Sequence, residues 1–526
     1  MARSDRPDSH IATTRAGLAI LALVSAFYLV ALDRLPIVFG SDEAHFAIHA
    51  ESIARSGRDL NGEALPLFVR ITDPMVPNHS TRIWYQPALF YLMTPFIAAF
   101  GVEEWAARLP VALIAVANLG LVLAIGRRLF GDSRYAVVAA LILACTPAHV
   151  IVARQALDYI VPLPFVLGWF LCLLRYLDGG RARELAAGGL LLGVGVFSYI
   201  AAWLLMPCYL LLTAIAVWRS GRPSRVRDLA IGCAAFALPA AGLTAALAAS
   251  PEMLSSTLGR YHIAGASASA PGLAERVTLY WDYFNPSFLF FAGGSNPTQA
   301  TARVGVFLLT LLPLLAVGLR AILINRSDRW LVAAAALAAA PLPIAITMPA
   351  AASYSIARAM TLLPFAALVA TLGVQSLMRE RHLRLLAVAC LVGLPIQFAW
   401  FVADYRGEYQ MRAGPRLDPD NMRAVAAAVI PQDRETAAPR LYFSHRLDDG
   451  GARWRFLMLK EGRLDLWERS RQINLTESPA IEPGALIVCR AGDPDGARLI
   501  AAGYRVVAAI DGVAGEPATV VLKAPG

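Results

Sequence analysis

The chain has 526 residues, of which 57% are hydrophobic and only 16% charged, with a mean hydropathy of +0.54; soluble domains carry roughly 45–50% apolar and about 25% charged residues. That double departure excludes a soluble enzyme and fits a polytopic membrane protein. The formal charge of +9 does not point to nucleic acid, because the arginines stand in short clusters between apolar runs, as in cytoplasmic loops.

A helix needs about 20 apolar residues to cross a bilayer. In chain order, candidate spans fall at about 17–36, 109–126, 135–153, 160–177, 185–199, 200–218, 228–249, 303–320, 330–349, 359–377 and 384–402. The first could be read as a signal peptide, but Ala31-Leu32-Asp33-Arg34 offers no small-x-small cleavage site, so it is taken as an uncleaved span. Arginines cluster before span one (Arg3, Arg6, Arg15), after span two (Arg127, Arg128, Arg134) and in every second loop after that. The positive-inside rule then puts the N-terminus in the cytoplasm and the C-terminus outside it. The run 87–101 is only about fifteen residues long, and counting it as a span would invert every later loop. It is therefore placed in the first outer loop, as a helix at or dipping into the outer surface.

Two long outer loops follow from this topology, at about 37–108 and 250–302, within a transmembrane domain of residues 1–402. From about residue 403 the composition changes. Leu441-Tyr442-Phe443, 485–489 and 519–522 read as buried strands, with helical pattern at 419–430 and 495–502. Residues 403–526 are thus expected to form a small extracytoplasmic α/β domain. Five of the six cysteines lie in apolar runs and only Cys489 in the tail, so no disulfide framework is expected there.

The first outer loop opens on Gly40-Ser41-Asp42-Glu43-Ala44-His45-Phe46. An acidic pair this close to the bilayer is a functional candidate; capping of a following helix explains it equally well. His45 and His49 follow Asp42 at helical spacing, but with no fourth ligand in view a metal there is the lesser reading. Asp158 opens the fourth span on the same side of the membrane as Asp42, and pairs with Arg154 at i, i+4 on the plain reading. Arg358 stands in a short outer loop where the positive-inside rule expects no arginine. It either snorkels to headgroups or forks onto a phosphate. Arg260 and His262 in the second long loop are candidates of the same kind. The aromatic cluster Tyr280, Trp281, Tyr283 and Phe284 reads as an interfacial belt or as a stacking platform for a sugar or lipid tail.

The order of these features resembles the C-type (GT-C) superfamily of polytopic glycosyltransferases, in particular the bacterial branch related to protein O-mannosyltransferases and the lipid A aminoarabinose transferase. Ser41-Asp42-Glu43-Ala44 resembles that family's acidic motif after the first span. Residues 54–62 (ARSGRDLNG) resemble its following loop, and Tyr85-Gln86-Pro87-Ala88-Leu89-Phe90 its Pro-Leu turn. Ala107-Arg108-Leu109-Pro110, Gly126 to Gly131, Arg154 with Asp158, Phe284 to Phe290, and Arg358-Ala359 with Leu363-Pro364 resemble later landmarks. The likeness covers about residues 15–380.

The resemblance implies an all-α polytopic fold and an inverting transfer from a polyprenyl-phosphate-linked sugar to an envelope lipid, glycan or protein acceptor on the outer face, with the enzyme in the bacterial inner membrane. Asp42 would be the general base and Glu43 would orient or contact the acceptor. Asp158 with Arg154, and Tyr85 with Gln86, would bind substrate, and Arg358 would neutralise the departing phosphate. No cofactor is required. In the aminoarabinose branch a Lys stands at the place of Gln86 and an acid at that of Tyr85, so neither lipid A as acceptor nor that branch's metal is implied. A transporter or flippase would show repeat halves with broken helices. An O-antigen ligase or polymerase would carry its key residues in a later large loop.

Overall fold

Why these runs become helices follows from the apolar solvent: with no water to receive them, backbone polar groups must be satisfied within the segment. The computed structural model describes residues 7–71, 75, 83–260, 272–347, 354–448, 450–477 and 480–525. It divides into two compact units. One comprises Met1–Val30, Tyr85–Leu89 and Val111–Asp404, and the other Ala31–Trp84, Phe90–Pro110 and Tyr405–Gly526. The first outer loop and the C-terminal tail therefore fold together, across some three hundred residues of intervening chain.

Every expected span contains helix, but the helices differ from a uniform set of eleven. Among the described residues seven are long and apolar enough to cross a membrane: Glu104–Phe130, Asp158–Gly179, Ala202–Arg219, Arg225–Ala249, Asp328–Thr347, Leu362–Arg379 and Arg384–Arg406. The run at 135–153 is broken by 63° into Ser133–Ala144 and Pro147–Ala153. The break falls where Pro147, which lacks an N–H, begins the second piece. Pro7–Leu29 ends sooner than the sequence suggests, and the run at 303–320 becomes helical only from Leu311. Residues 88–100 form a 13-residue helix containing Pro95, about 20 Å long and so too short for a 30 Å hydrocarbon core.

Small residues let the spanning helices close up. A Cβ on Gly189 would lie 2.1 Å from the Gly232 carbonyl oxygen, one on Gly318 2.0 Å from that of Val369, and one on Gly373 2.0 Å from that of Leu314. Van der Waals contact between close backbones replaces the hydrophobic drive that lipid cannot supply.

The C-terminal segment builds a five-stranded sheet in which Ser470–Ile473, Leu441–Ser444, Leu486–Arg490, Pro517–Lys523 and Arg505–Asp511 lie side by side in that order. The first three are parallel and the last two antiparallel. Leu486, Ile487, Val488, Val521 and Leu522 are fully buried at its centre. The two outer strands and the helices Gly450–Lys460 and Leu464–Arg469 were not expected. Ser470–Ile473 reads SRQI and lacks the apolar run of a buried strand; Arg505–Asp511 does carry an apolar run at 506–510, but it lies at the sheet edge, largely exposed and bulged.

Candidate active site

In the second unit Gly40 precedes the helix Ser41–Ser56, whose first turn carries Ser41, Asp42 and Glu43. Glu43 folds back to accept a hydrogen bond from the Gly40 N–H at 2.9 Å. This is half of a capping box, with a glycine where a hydroxyl residue usually sits. Glu43 is 2% exposed, and Arg108 grips it with both arms, Nε to Oε1 at 2.8 Å and Nη2 to Oε2 at 2.9 Å. The same guanidinium donates to the carbonyls of Leu32 and Pro36 at 2.9 Å and of Val38 at 2.7 Å, and lies 5.2 Å from the Phe39 ring centre. A planar fork is the side chain that meets a carboxylate and three carbonyls at once.

Two adjacent acids thus have opposite environments. Glu43 is turned inward and its oxygens are occupied. Asp42 is exposed on a helix first turn, where the peptide dipoles favour negative charge. In the structure Glu43 is engaged by protein on both oxygens. Sequence reading named Arg108 only within the landmark Ala107-Arg108-Leu109-Pro110 and gave it no role. The signal available was an arginine at the start of an apolar span.

Further braces hold the stretch before Asp42. The Ile37 N–H donates to Gln410 Oε1 at 2.8 Å, and Phe39 stacks on Phe456 with ring centres 4.4 Å apart. One turn before Arg108, Glu104 takes Arg423 at 3.0 Å and a hydrogen bond from Lys460, which also meets Glu103 at 2.9 Å. Asp59 in the 54–62 loop is likewise internal. It accepts from the N–H groups of Asn61 and Glu63, each at 2.9 Å, and its motif serves loop shape. His45 and His49 point into the unit and are buried. Burial, then the nearby His45 and Arg455, pushes the His49 imidazole down to about 3, which keeps it neutral. Among the described residues no three His, Cys, Asp or Glu side chains come together as a metal site.

The first unit holds the remaining candidates. Arg154 is fully buried and donates to the carbonyls of Phe27 and, at 2.8 Å, Val30, with its guanidinium 5.0 Å from the Phe27 ring centre. These contacts fasten the end of the first helix. Asp158 is buried at the start of a short 3-10 turn. Gln86 is buried and Tyr85 half-buried, on a segment where the Ala88 N–H donates to the Phe197 carbonyl at 3.3 Å.

Arg358 is half-buried on the 3-10 turn Ile356–Ala359. Gln299 Oε1 accepts from the Ser355 hydroxyl at 2.7 Å and from the Ala357 N–H at 3.0 Å, and the Tyr283 hydroxyl accepts from the Ser355 N–H at 3.1 Å. Burial raises the Tyr283 hydroxyl's pKa, while the Ser355 N–H and the Arg358 charge oppose that shift. Tyr283 packs with Phe288 and Tyr354, ring centres 5.1–6.0 Å apart, so it is a buried strut of this loop. Of the rest of its cluster, Trp281 is exposed. Gln299 had no sequence signal beyond being an amide in a polar loop. Arg260 ends the helix Pro251–Arg260; its side chain and His262 lie outside the described residues.

Among the described residues, seven helices long and apolar enough to cross a membrane fit a multi-pass membrane protein, and in the second unit the helix Ser41–Ser56 carries an exposed carboxylate, Asp42. Residues 81–243 match the family model of dolichyl-phosphate-mannose-protein mannosyltransferases. That stretch includes Tyr85, Gln86, Arg154 and Asp158 but neither Asp42 nor Arg358. The fold is shared with ArnT from Cupriavidus metallidurans. Its crystal structure bound to undecaprenyl phosphate superposes with a TM-score of 0.60 at 15% identity, covering 96% of this chain and 97% of that one. Its apo crystal structure gives 0.60 at 16% identity, covering 97% and 98%. No curated protein matches the chain. In fold and in the matched segment the chain is similar to the glycosyltransferases that its motif order resembles, and the two findings together support a GT-C glycosyltransferase.

Proposed function

We propose that the protein is an inverting glycosyltransferase that moves a sugar from a polyprenyl-phosphate carrier to a hydroxyl acceptor on the outer face of the bacterial inner membrane, with its N-terminus cytoplasmic and its C-terminal domain outside. The observation that carries this reading is the split acidic pair: Glu43 locked by Arg108 and Asp42 exposed beside it. The ArnT structure bound to undecaprenyl phosphate supports the donor class.

Asp42 accepts the proton of the acceptor hydroxyl as the oxygen forms its bond to the anomeric carbon. The bond from that carbon to the phosphate oxygen breaks on the opposite face, its electron pair leaves with the polyprenyl phosphate, and the configuration inverts. Arg358 meets the charge that grows on the phosphate. Asp158 and the Tyr85-Gln86 turn shape the substrate pocket, Arg154 supports it, and no metal is needed for a leaving group that already departs as a phosphate. The reading is tested with purified protein and a polyprenyl-phosphate-linked sugar: Asp42→Asn removes transfer and leaves the melting temperature unchanged. Full residual transfer in that variant sinks the base assignment.

A further inference from the structure

The second unit contains a cavity of about 270 Å³ that the transfer chemistry above does not use. It is lined by Ile37, Val38 and Phe39 and, from the C-terminal segment, by Met422, Phe456 and Val513. Its polar lining is balanced: two carboxylates, Glu104 and Asp418, and two guanidinium groups, Arg423 and Arg453. Arg453 is 4% exposed. Its Nη1 donates to Asp418 Oδ1 at 2.7 Å, and its Nη2 reaches the Asp448 carbonyl at 3.4 Å and the Asp448 carboxylate at 3.7 Å. Its Nε has no hydrogen-bond partner among the described residues. That unmatched donor belongs to a guanidinium that lines the cavity.

The lining selects the chemistry of what enters. An anion would meet Glu104 and Asp418, and a cation would meet Arg423 and Arg453. A hydroxyl both accepts from guanidinium and donates to carboxylate, so a neutral polyol satisfies all four groups at once. The apolar lining of Phe39, Met422, Phe456 and Val513 suits the C–H face of a ring. At about 30 Å³ per water the volume holds about nine waters, the room one sugar ring with its hydroxyls needs. The position matters too. Phe39 is three residues before Asp42, and three residues of chain reach at most about 11 Å.

We infer that this cavity is a saccharide subsite that seats a neutral sugar unit of the acceptor and presents it toward Asp42. The inference rests on the proposed function only for the word acceptor, since binding at the cavity can be read without transfer. It also gives the C-terminal domain a task, recognition of a glycan acceptor in place of an anionic lipid headgroup.

The test is saturation-transfer NMR on the full-length protein in detergent with methyl mannoside, methyl glucoside and methyl galactoside as probes, and methyl glucuronide and glucosamine as charged controls. At least one neutral glycoside is expected to bind, and the charged analogues at least tenfold more weakly. Val513→Trp fills the cavity from a half-exposed position and Arg423→Gln removes a rim donor. Both are expected to lose binding at least tenfold, Val513→Trp at an unchanged melting temperature and Arg423→Gln with only the loss of its ion pair to Glu104. No binding by any neutral glycoside overturns the inference, and so does binding that survives both substitutions. Asp42→Asn is expected to bind the glycosides as wild type does. Loss of transfer in Asp42→Asn without glycoside binding in wild type removes the subsite and leaves the enzyme reading standing. Glycoside binding in a protein that transfers no sugar does the reverse.

Discussion

Substitution of Arg108 separates holding the acidic pair from using it. Arg108 makes five hydrogen bonds, two to Glu43 and three to carbonyls between Leu32 and Val38, at 1% exposure. Arg108→Ala strands a buried carboxylate and costs about 3–5 kcal/mol, a large part of a total stability of about 5–15 kcal/mol, so that variant is expected to accumulate poorly. Arg108→Lys is the informative change. An ammonium keeps the charge but not the fork, and losing two of the five bonds costs about 2–3 kcal/mol. The protein is then expected to fold, with the chain before Asp42 re-seated. Misplacement of a reacting group by about 1 Å costs about 10²-fold in rate, so kcat is expected to fall about 10- to 100-fold. The apparent KM for donor should stay within about threefold, the signature of an interaction expressed only in the transition state. Single-turnover transfer from a polyprenyl-phosphate sugar, with melting followed in parallel, measures both. A folded Arg108→Lys or Glu43→Gln enzyme with wild-type kcat would refute the argument that Glu43 positions Asp42.

Three further outcomes are expected. His49 stays neutral in the fold down to about pH 3, whereas in the unfolded chain it takes up a proton near pH 6.5. Its effect on stability is therefore nil above pH 6.5 and grows unfavourable as pH falls. At pH 5 the loss is about 2 kcal/mol, and melting in detergent should show a shallower acid slope for His49→Leu than for wild type; equal slopes would count against it. Glu104→Gln removes the carboxylate that Arg423 and Lys460 share and should cost about 1–3 kcal/mol, read as faster limited proteolysis of the C-terminal segment. Arg358→Ala should weaken donor binding about 10- to 100-fold, the worth of one charge-assisted hydrogen bond at about 1.5–3 kcal/mol; an unchanged apparent donor affinity would remove the phosphate role.

Much of the fold was legible because a bilayer leaves the chain few choices. Each expected span contains helix, and the run at 87–101 was set apart by its length and by the arginine pattern of the later loops. Where a span broke, local chemistry decided, as with Pro147. The roles of Glu43 and Arg154 were not legible in the same way. Both read as charged groups near a membrane face, and both turn out to bind protein, Glu43 through Arg108 and Arg154 through carbonyls of the first helix. Their partners lie 65 and more than 120 residues away, a separation that no periodicity encodes. The joining of loop 37–108 with the tail was hidden for the same reason. Its contacts, such as Ile37 with Gln410, fall between segments that each look complete alone.

The split of the acidic pair also limits which residue can do the chemistry. A general base must meet the proton it takes and have lone pairs to spare. Glu43 has neither, because Arg108 and the Gly40 N–H occupy its oxygens and burial keeps an acceptor away. Asp42 shares the same helix turn, and its position is fixed through a backbone that Glu43 and Arg108 hold. An exposed carboxylate on a rigid mount loses little conformational freedom on engaging its partner, and that is what positioning contributes to rate. A second acid beside the base therefore serves to fix the first one's place, and shortening Glu43 to Asp, which retains the charge but retracts it from Arg108, should slow transfer almost as much as removing it.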